Sequence, residues 1–183
     1  MIIKQTPISG LAVLENKPFE DQRGCFSRLF CQRELSNLIN KRQILQINHS
    51  RTIALGAIRG LHFQYPPYAE MKLVCCLKGR VWDVAADLRS GSSTFLHWHA
   101  DELSPENGRM IVIPEGFAHG FQVLEAPAEV LYLHTAFYTP EAEGGVSWND
   151  PALAISWPLP PVDLSARDQK HPFISENFTG IVL

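Results

Sequence analysis

A histidine, an arginine and a lysine occur close together near the middle of the chain. The segment from Arg59 to Gln64 reads RGLHFQ and contains His62, and Lys72 follows shortly after it. A neutral imidazole is easily poised as a base, a guanidinium matches phosphate oxygens, and an ammonium can stabilise a developing oxyanion. This combination predicts a site for an anionic carbonyl substrate.

The surrounding sequence has the pattern typical of strands, so we expect a strand to position these side chains. Strand alternation places Arg59, Leu61 and Phe63 on one face and His62 on the other. A local bend at Gly60 would bring Arg59 and His62 to the same side. The sequence therefore predicts an irregular strand at this point.

The composition predicts one domain spanning residues 1–183, since 45% of the residues are hydrophobic and can form a buried core. No run approaches the roughly 18 apolar residues of a membrane span, and the N-terminus lacks the features of a signal peptide. We therefore expect a soluble, cytoplasmic protein with no membrane partner. The net charge of −3 gives no general basic field, so nucleic acid is not expected as a partner.

Thirteen prolines and twelve glycines separate short β-branched and aromatic runs, which is typical of all-β sandwiches and barrels. A helix is predicted over 32–40, and a short helical turn is expected after Asp163, with Asp163 or Ser165 as its cap. Strands are predicted over 44–49, 72–78, 80–87, 94–101, 110–114, 120–124 and 129–137.

The segment from Gly108 to His119 fits the second half of the conserved cupin pattern, in which a strand leads into a Pro-Gly turn and a histidine points into the barrel. It predicts an all-β, cupin-type jelly-roll β-barrel with a few short helices. In metal-using cupins this histidine is a ligand, with an earlier His-x-His and a glutamate, here His97, His99 and Glu102. A metal-dependent cupin enzyme is thus one alternative, although the interval from His99 to Glu102 is one residue short of the pattern.

Several motifs, in the same order, closely resemble the dTDP-4-dehydrorhamnose 3,5-epimerase family of nucleotide-sugar epimerases. The resemblance runs from FEDQRG at 19–24 to LSARD at 164–168 and so covers nearly the whole chain. The motifs between them are RGLHFQ, Lys72, IPEGFAHGF at 113–121, WNDP at 148–151 and WP at 157–158. The resemblance implies a homodimer formed by strand exchange and a place in the dTDP-rhamnose pathway, supplying deoxysugar for surface polysaccharide such as lipopolysaccharide or O-antigen.

The resemblance also implies the reaction, an isomerisation at C3, C5 or both of a nucleotide-diphospho-4-keto-6-deoxyhexose. The hydrogens on these carbons are α to a carbonyl, so deprotonation gives an enolate that can be reprotonated on the other face, with no cofactor and no metal. By resemblance, His62 is the base, Asp168 orients it, Tyr132 is the acid and Lys72 stabilises the enolate oxygen. A sugar-nucleotide binding barrel without catalysis is a further alternative.

Further residues are expected to bind the substrate. Arg23 and Arg59 are expected on the diphosphate, because their fork-shaped donors match phosphate oxygens. His119 is expected as a buried imidazole beside the sugar pocket, with Asp83 hydrogen-bonded to it to fix its tautomer. The other positions expected around the sugar and the nucleotide are Gln46, Asn48, Phe19, Phe26 and Tyr138.

Arg28 departs from the family pattern, which has a glutamate at this position. A glutamate can accept the N3–H of thymine, whereas arginine has no acceptor. Cytosine presents an acceptor at N3, so the alternative hypothesis is a C3-only epimerase of a CDP-4-keto-6-deoxy sugar. Arg28 could also reach solvent or phosphate and leave the nucleotide unchanged.

Overall fold

The computed structural model describes residues 1–183 and consists mainly of strands, with one short α-helix, α1 (Ser36–Ile39), and two 3₁₀ turns (Pro140–Ala142 and Asp168–Lys170). None of its helices has the length and apolarity needed to cross a membrane. The strands are β1 (Ile2–Gln5), β2 (Ala12–Glu15), β3 (Phe19–Asp21), β4 (Gly24–Phe26), β5 (Gln46–Thr52), β6 (Ile58–Gln64), β7 (Lys72–Asp87), β8 (Trp98–Leu103), β9 (Arg109–Ile113), β10 (Phe117–His134) and β11 (Glu143–Gly145).

All strands except β3 and β4 belong to one sheet that folds over on itself. The long strands β7 and β10 run antiparallel to each other, and each pairs with different neighbours at its two ends. The first part of β7 pairs with β9 and the second with β8, whereas β10 pairs first with β6 and then with β5. This is the jelly roll of a cupin, so the predicted fold class is confirmed.

The two long strands correct the predicted strand boundaries. The predicted strands 72–78 and 80–87 are both parts of β7, because Gly79 has a φ of +69° and bends the chain without ending the strand. The predicted strand 120–124 and the first part of the predicted strand 129–137 both fall on β10, whose register with β7 shifts between them. β10 ends at His134, so residues 135–137 are not part of a strand. In the sequence, each bend resembles a gap between two strands.

The predicted helix over 32–40 is also shorter than expected. Residues 32–35 form turns and only α1 is helical, with no side chain capping its N-terminus. Leu35 and Ile39 are nevertheless fully buried in one apolar cluster with Leu73 and Met110. The predicted apolar face exists, although little of the segment is helical.

β8 begins at Trp98 rather than at residue 94. The hydroxyls of Ser92 and Thr94 donate hydrogen bonds to the buried carboxylate of Asp87, which holds the preceding residues in a loop. Leu96 follows with a φ of +61°, a conformation that a strand does not contain.

The main core lies between the two layers of the folded sheet. It is a cluster of 16 buried residues that draws on both ends of the long strands, including Val74 and Val81 from β7 and Phe121 and Val130 from β10. Each such side chain stabilises the fold by about 1.5–3 kcal/mol when it is fully buried. The core therefore fixes β7 and β10, and with them the strands that pair on either side.

β6 carries the irregularity predicted at Gly60. His62 pairs with His119 of β10, but Arg59 pairs with Phe121, so the register shifts between these two pairs. The interval on β6 is one residue longer than the interval on β10, as in a β-bulge. Arg59 and His62 consequently line the same cavity, which a regular strand would not allow.

Gly60 is expected to tolerate no side chain. Its φ is +120°, and a Cβ there would lie 2.6 Å from Cα of Gly120. Gly60→Ala should therefore lower the free energy of unfolding by about 3 kcal/mol or more, measured by urea denaturation. Gly91→Ala is the control, because Gly91 also has a positive φ of +71° but has no atom within 4 Å of the added Cβ. Equal losses would contradict the close approach of β6 to β10.

Candidate active site

Strands β5, β6 and β10 surround a cavity of about 620 Å³, a size that suits a small-molecule ligand. It also receives side chains from the segment that leads into the last 3₁₀ turn. Five of the residues predicted from the sequence line it together, namely Asn48, Arg59, His62, Tyr132 and Asp168.

His62 and Asp168 form a hydrogen-bonded pair in this cavity. His62 Nε2 lies 2.9 Å from Asp168 Oδ1, and Asp168 Oδ2 accepts the backbone N–H of Gly60 at 3.1 Å. Burial opposes ionisation, but the hydrogen bonds from His62 and Gly60 outweigh it and hold the pKa of Asp168 well below its usual range. An ionised Asp168 requires a proton on Nε2, which leaves Nδ1 of His62 as the acceptor.

Asp168 reaches this position through the predicted helical turn near the C-terminus. The turn covers Asp168–Lys170, and its first amide donates to the Ser165 hydroxyl at 3.0 Å. Of the two predicted caps, only Ser165 therefore bonds to the turn, although the residue at the N-cap position is Arg167. Arg167 lies beside the pair, with its Nη2 3.1 Å from His62 Nε2 and its Nη1 2.8 Å from Glu143.

Tyr132 presents a phenol to the same cavity. Its hydroxyl lies 3.1 Å from the Ser50 hydroxyl, and burial raises the pKa of Tyr132, so the phenol keeps its proton at neutral pH. His119 lies 6.2 Å away, between ring centroids, and is buried. The hydrogen bond expected between His119 and Asp83 is present, with Nε2 2.9 Å from Oδ2.

Lys72 on β7 is buried behind the cavity and does not line it, but it contacts the backbone of a residue that does. Its Nζ donates to the backbone oxygen of His62 at 3.4 Å and lies 3.2 Å from Glu70 Oε1. An ammonium has three N–H donors, so one donor of Lys72 is left for a ligand.

Gln46 and Tyr138 do not line the cavity themselves but are hydrogen-bonded to residues that do. Gln46 Nε2 donates to Asn48 Oδ1 at 3.2 Å, and its Oε1 accepts the backbone N–H of Tyr138 at 3.1 Å. The Tyr138 hydroxyl donates to Glu143, which lines the cavity. Both predicted residues therefore hold the polar wall in place.

The donors of the metal-cupin alternative do not converge. His97 precedes β8 and so does not share a strand face with His99, and His119 is bound to Asp83 instead. The group of three potential ligands within 4.8 Å of one another is a different one, comprising His62, Asp168 and His171. The geometry does not support the predicted metal set.

Comparisons with known proteins identify the family of the chain. The family model for dTDP-4-dehydrorhamnose 3,5-epimerase matches residues 5–176. The chain belongs to this family. The dTDP-4-dehydrorhamnose 3,5-epimerase of Salmonella typhimurium is 43% identical over 178 residues, which cover 96% of this chain and 97% of the relative.

Two similar solved structures contain bound ligands. The dTDP-6-deoxy-D-glucose-3,5-epimerase of Legionella pneumophila, in complex with dTDP-4-keto-L-rhamnose, is 42% identical, with a TM-score of 0.90 over 94% of this chain and 92% of that one. The dTDP-4-dehydrorhamnose 3,5-epimerase of Bacillus anthracis, with TDP and PPi bound, is 37% identical, with a TM-score of 0.91 over 94% of this chain and 99% of that one.

Four residues that were expected at the nucleotide or its diphosphate lie apart from the cavity within one chain. Phe19 and Phe26 pair across the β3–β4 hairpin and are 79% and 70% exposed. Arg23 binds Asp21 on the same hairpin, and Arg28 forms an ion pair with Glu34 at 2.5 Å. The hairpin is separate from the large sheet, so no pairing within the chain carries it to the cavity.

The structure also adds residues that the sequence prediction missed. His134 lies two positions after Tyr132 on β10, so strand alternation alone could have placed it on the cavity wall. Arg167 could have been suspected as the neighbour of Asp168. Nothing in the sequence around Glu143 or His171 indicates that they belong to the site. His171 meets His62 edge to face at 5.3 Å, and its buried Nε2 has no hydrogen-bond partner.

Removing the charge of Asp168 should reduce stability in a pH-dependent way. Asp168→Asn should lower the free energy of unfolding by about 1.5–3 kcal/mol near neutral pH. Because the folded-state pKa of Asp168 is depressed, its contribution is present above the unfolded pKa of about 4 and is lost as the pH falls further. The difference between parent and variant in urea denaturation should therefore shrink below about pH 4.

Asp163→Asn provides the control, because Asp163 is an exposed carboxyl on the same cavity wall. It should unfold like the parent at every pH. A constant difference between parent and Asp168→Asn across the whole pH range would contradict an ionised Asp168.

Proposed function

We propose that this chain is a 3,5-epimerase of a dTDP-4-keto-6-deoxyhexose, acting as a single domain in cytoplasmic deoxysugar and surface polysaccharide biosynthesis. The observation that carries the proposal is the presence of a carboxylate-backed imidazole, His62, and a protonated phenol, Tyr132, in one cavity. Membership of the epimerase family supports the same reaction.

In this mechanism His62 accepts the proton α to the carbonyl through Nδ1, and the imidazolium is stabilised by Asp168 through Nε2–H. The free N–H of Lys72 stabilises the enolate oxygen. Tyr132 then delivers a proton to the carbon from the other face, which inverts its configuration. The protons of His62 and Tyr132 exchange with solvent between cycles, so solvent hydrogen enters the product.

Arg59 is proposed to bind the diphosphate. Thr52 and the backbone oxygen of Arg51 accept hydrogen bonds from its Nε and Nη2, which fixes the guanidinium at the cavity wall. Fixing a guanidinium in advance reduces the entropy lost on binding. Arg23 is proposed for the same ligand from the hairpin.

We propose a homodimer in which the β3–β4 hairpin of one chain completes the cavity of its partner. The exposure of Phe19 and Phe26 supports this, because both rings are free to stack on a nucleotide base and ribose. They border a surface hollow with Arg28 and Glu34. The two stacking residues and the predicted base-reading residue therefore lie together, although away from the catalytic pair of their own chain.

We propose thymidine rather than cytidine as the nucleoside. The Legionella and Bacillus relatives bind thymidine nucleotides, and Arg28 is occupied by its ion pair with Glu34. Held in this way, the carboxylate of Glu34 supplies an acceptor for the N3–H of thymine, which Arg28 lacks. The CDP alternative has no support from these relatives.

Solvent deuterium incorporation tests the function. The parent, incubated in deuterated water with a dTDP-4-keto-6-deoxyhexose, should incorporate deuterium at both C3 and C5, seen by mass and proton spectra. His62→Ala should reduce incorporation at least about a hundredfold, because a positioned base contributes roughly 10²–10⁴-fold. His49→Ala, which removes an exposed imidazole from the same wall, should behave like the parent. Undiminished exchange in His62→Ala would exclude this base.

Tyr132→Phe separates proton removal from proton delivery. The ring packing is retained, whereas the donor is lost, so epimerisation should fall by about 10²-fold or more while deuterium still exchanges into recovered substrate. Proton spectra distinguish inverted product from exchanged substrate. Ser50→Ala, which removes only the hydrogen-bond partner of the phenol, should have a smaller effect on inversion. Inversion at the parental rate in Tyr132→Phe would show that another group is the acid.

Calorimetric titration tests the nucleotide. The parent should bind dTDP at least about tenfold more tightly than CDP, since a hydrogen bond to a charged group is worth roughly 1.5–3 kcal/mol. Glu34→Ala should reduce this preference, whereas Glu20→Ala, which removes an exposed carboxylate of β3 that does not border the hollow, should keep it. Tighter binding of CDP by the parent would favour the alternative substrate.

A further inference from the structure

β10 carries a second imidazole into the cavity. His134 shares a strand face with Tyr132, and their rings are nearly parallel, with centroids 6.0 Å apart. Its side chain is 10% exposed and lines the cavity together with His62. His134 has no part in the proposed mechanism, in which His62 removes a proton from the sugar and Tyr132 delivers one.

A buried carboxylate holds this imidazole. His134 Nδ1 lies 2.7 Å from Glu70 Oε2, and the other oxygen of Glu70 lies 3.2 Å from Lys72 Nζ. Burial opposes ionisation, but the hydrogen bond with His134 and the charge of Lys72 outweigh it and lower the pKa of Glu70. An ionised Glu70 is an acceptor only, so Nδ1 carries the proton of a neutral imidazole.

The other ring nitrogen, Nε2, is then an acceptor at the cavity wall. Its protein contact is Asn48 Nδ2 at 3.3 Å. The Asn48 amide is oriented by Gln46, which donates to Asn48 Oδ1 at 3.2 Å. His134 is therefore fixed at Nδ1 by a short hydrogen bond, whereas Nε2 accepts only a long one from Asn48. A ligand hydroxyl can share or replace the Asn48 amide as the donor to Nε2.

The position of His134 indicates which part of a ligand it meets. On β7 its register partner is Lys72, and on β10 its neighbour on the same face is Tyr132. These are the residues proposed to act at the reacting sugar carbons. A neutral acceptor does not attract phosphate oxygens, whereas a sugar hydroxyl is a suitable donor.

We propose that His134, oriented by Glu70, accepts a hydrogen bond from a ring hydroxyl of the hexose, at C2 or C3, and so selects for the sugar. This inference rests on the proposed function and adds a residue that recognises the hexose to those that bind the nucleotide. The reaction scheme itself is unchanged by it.

Titration with unreactive probes tests the inference. dTDP-glucose lacks the keto group and is not epimerised, and its 2-deoxy and 3-deoxy forms each lack one candidate hydroxyl. His134→Ala should lower the affinity for dTDP-glucose roughly tenfold, as expected for the loss of one hydrogen bond. The affinity for dTDP should stay within about twofold of the parent's. One of the two deoxy probes should bind the parent and the variant equally, because the interacting hydroxyl is absent.

Glu70→Gln is a second variant that tests the same contact in case His134→Ala does not fold properly. A glutamine can still accept Nδ1–H, so this variant should lose less affinity for dTDP-glucose than His134→Ala does. The assignment would be overturned if His134→Ala lowered the affinities for dTDP and dTDP-glucose equally. It would also be overturned if this variant lowered the affinity for both deoxy probes as much as that for dTDP-glucose. These measurements involve binding alone, whereas a parent that fails to incorporate deuterium would refute the proposed reaction, so the two failures are distinguishable.

Discussion

The buried carboxylate of Asp168 imposes the constraint from which the rest of the site follows. An ionised carboxylate inside a protein is costly unless its oxygens are paired and hydrogen-bonded. Here one oxygen faces His62 and the other accepts the Gly60 amide, which the register shift in β6 makes available. The backbone irregularity thus compensates a buried charge and, at the same time, turns Arg59 toward the same cavity. The same bulge at Gly60 therefore sets both the positions of the side chains and the stability of the Asp168 charge.

Three of the hydrogen-bonded carboxylate–imidazole pairs in the barrel have a carboxylate that is largely shielded from solvent. They differ in what the second ring nitrogen of the histidine faces. His119 is buried against Asp83 and does not line the cavity, so its pairing supports the wall. His62 and His134 both line it, each with one nitrogen held by a carboxylate. A carboxylate fixes the tautomer and directs the acceptor nitrogen, as carboxylates do for histidines in metal sites. The same arrangement therefore supports the wall at His119 and, in our proposals, serves catalysis at His62 and recognition of the sugar at His134.

The sequence predicted the elements that depend on local chemistry. The jelly roll followed from the Pro-Gly turn before His119, and the bend at Gly60 followed from the demand that Arg59 and His62 meet. Strand ends were less predictable, since Gly79 bends a continuous strand and does not terminate it. Contacts between residues far apart in the sequence could not be predicted from local patterns. Asp168 is 106 positions from its partner His62, and only the family resemblance joined them.

The same limit explains why Glu70 was missed. It stands two residues before Lys72, but its contact with His134 spans 64 positions and depends on the register between β7 and β10. A register that shifts several times along β10 cannot be derived from alternation, because a slip of one residue exchanges the faces of a strand. Residues of this kind become visible only when the pairing of the long strands is known.

The β3–β4 hairpin adds a constraint that one chain does not satisfy. Strands of three residues carrying two exposed phenylalanines form too small a sheet to be stable alone, and the cavity wall is predominantly polar and offers little aromatic surface to a base. The proposed dimer would resolve both conditions, since the partner would cover the hairpin while the hairpin supplies stacking surface. Binding of the nucleotide would then favour association, because a ligand that contacts two chains stabilises the assembled form by mass action.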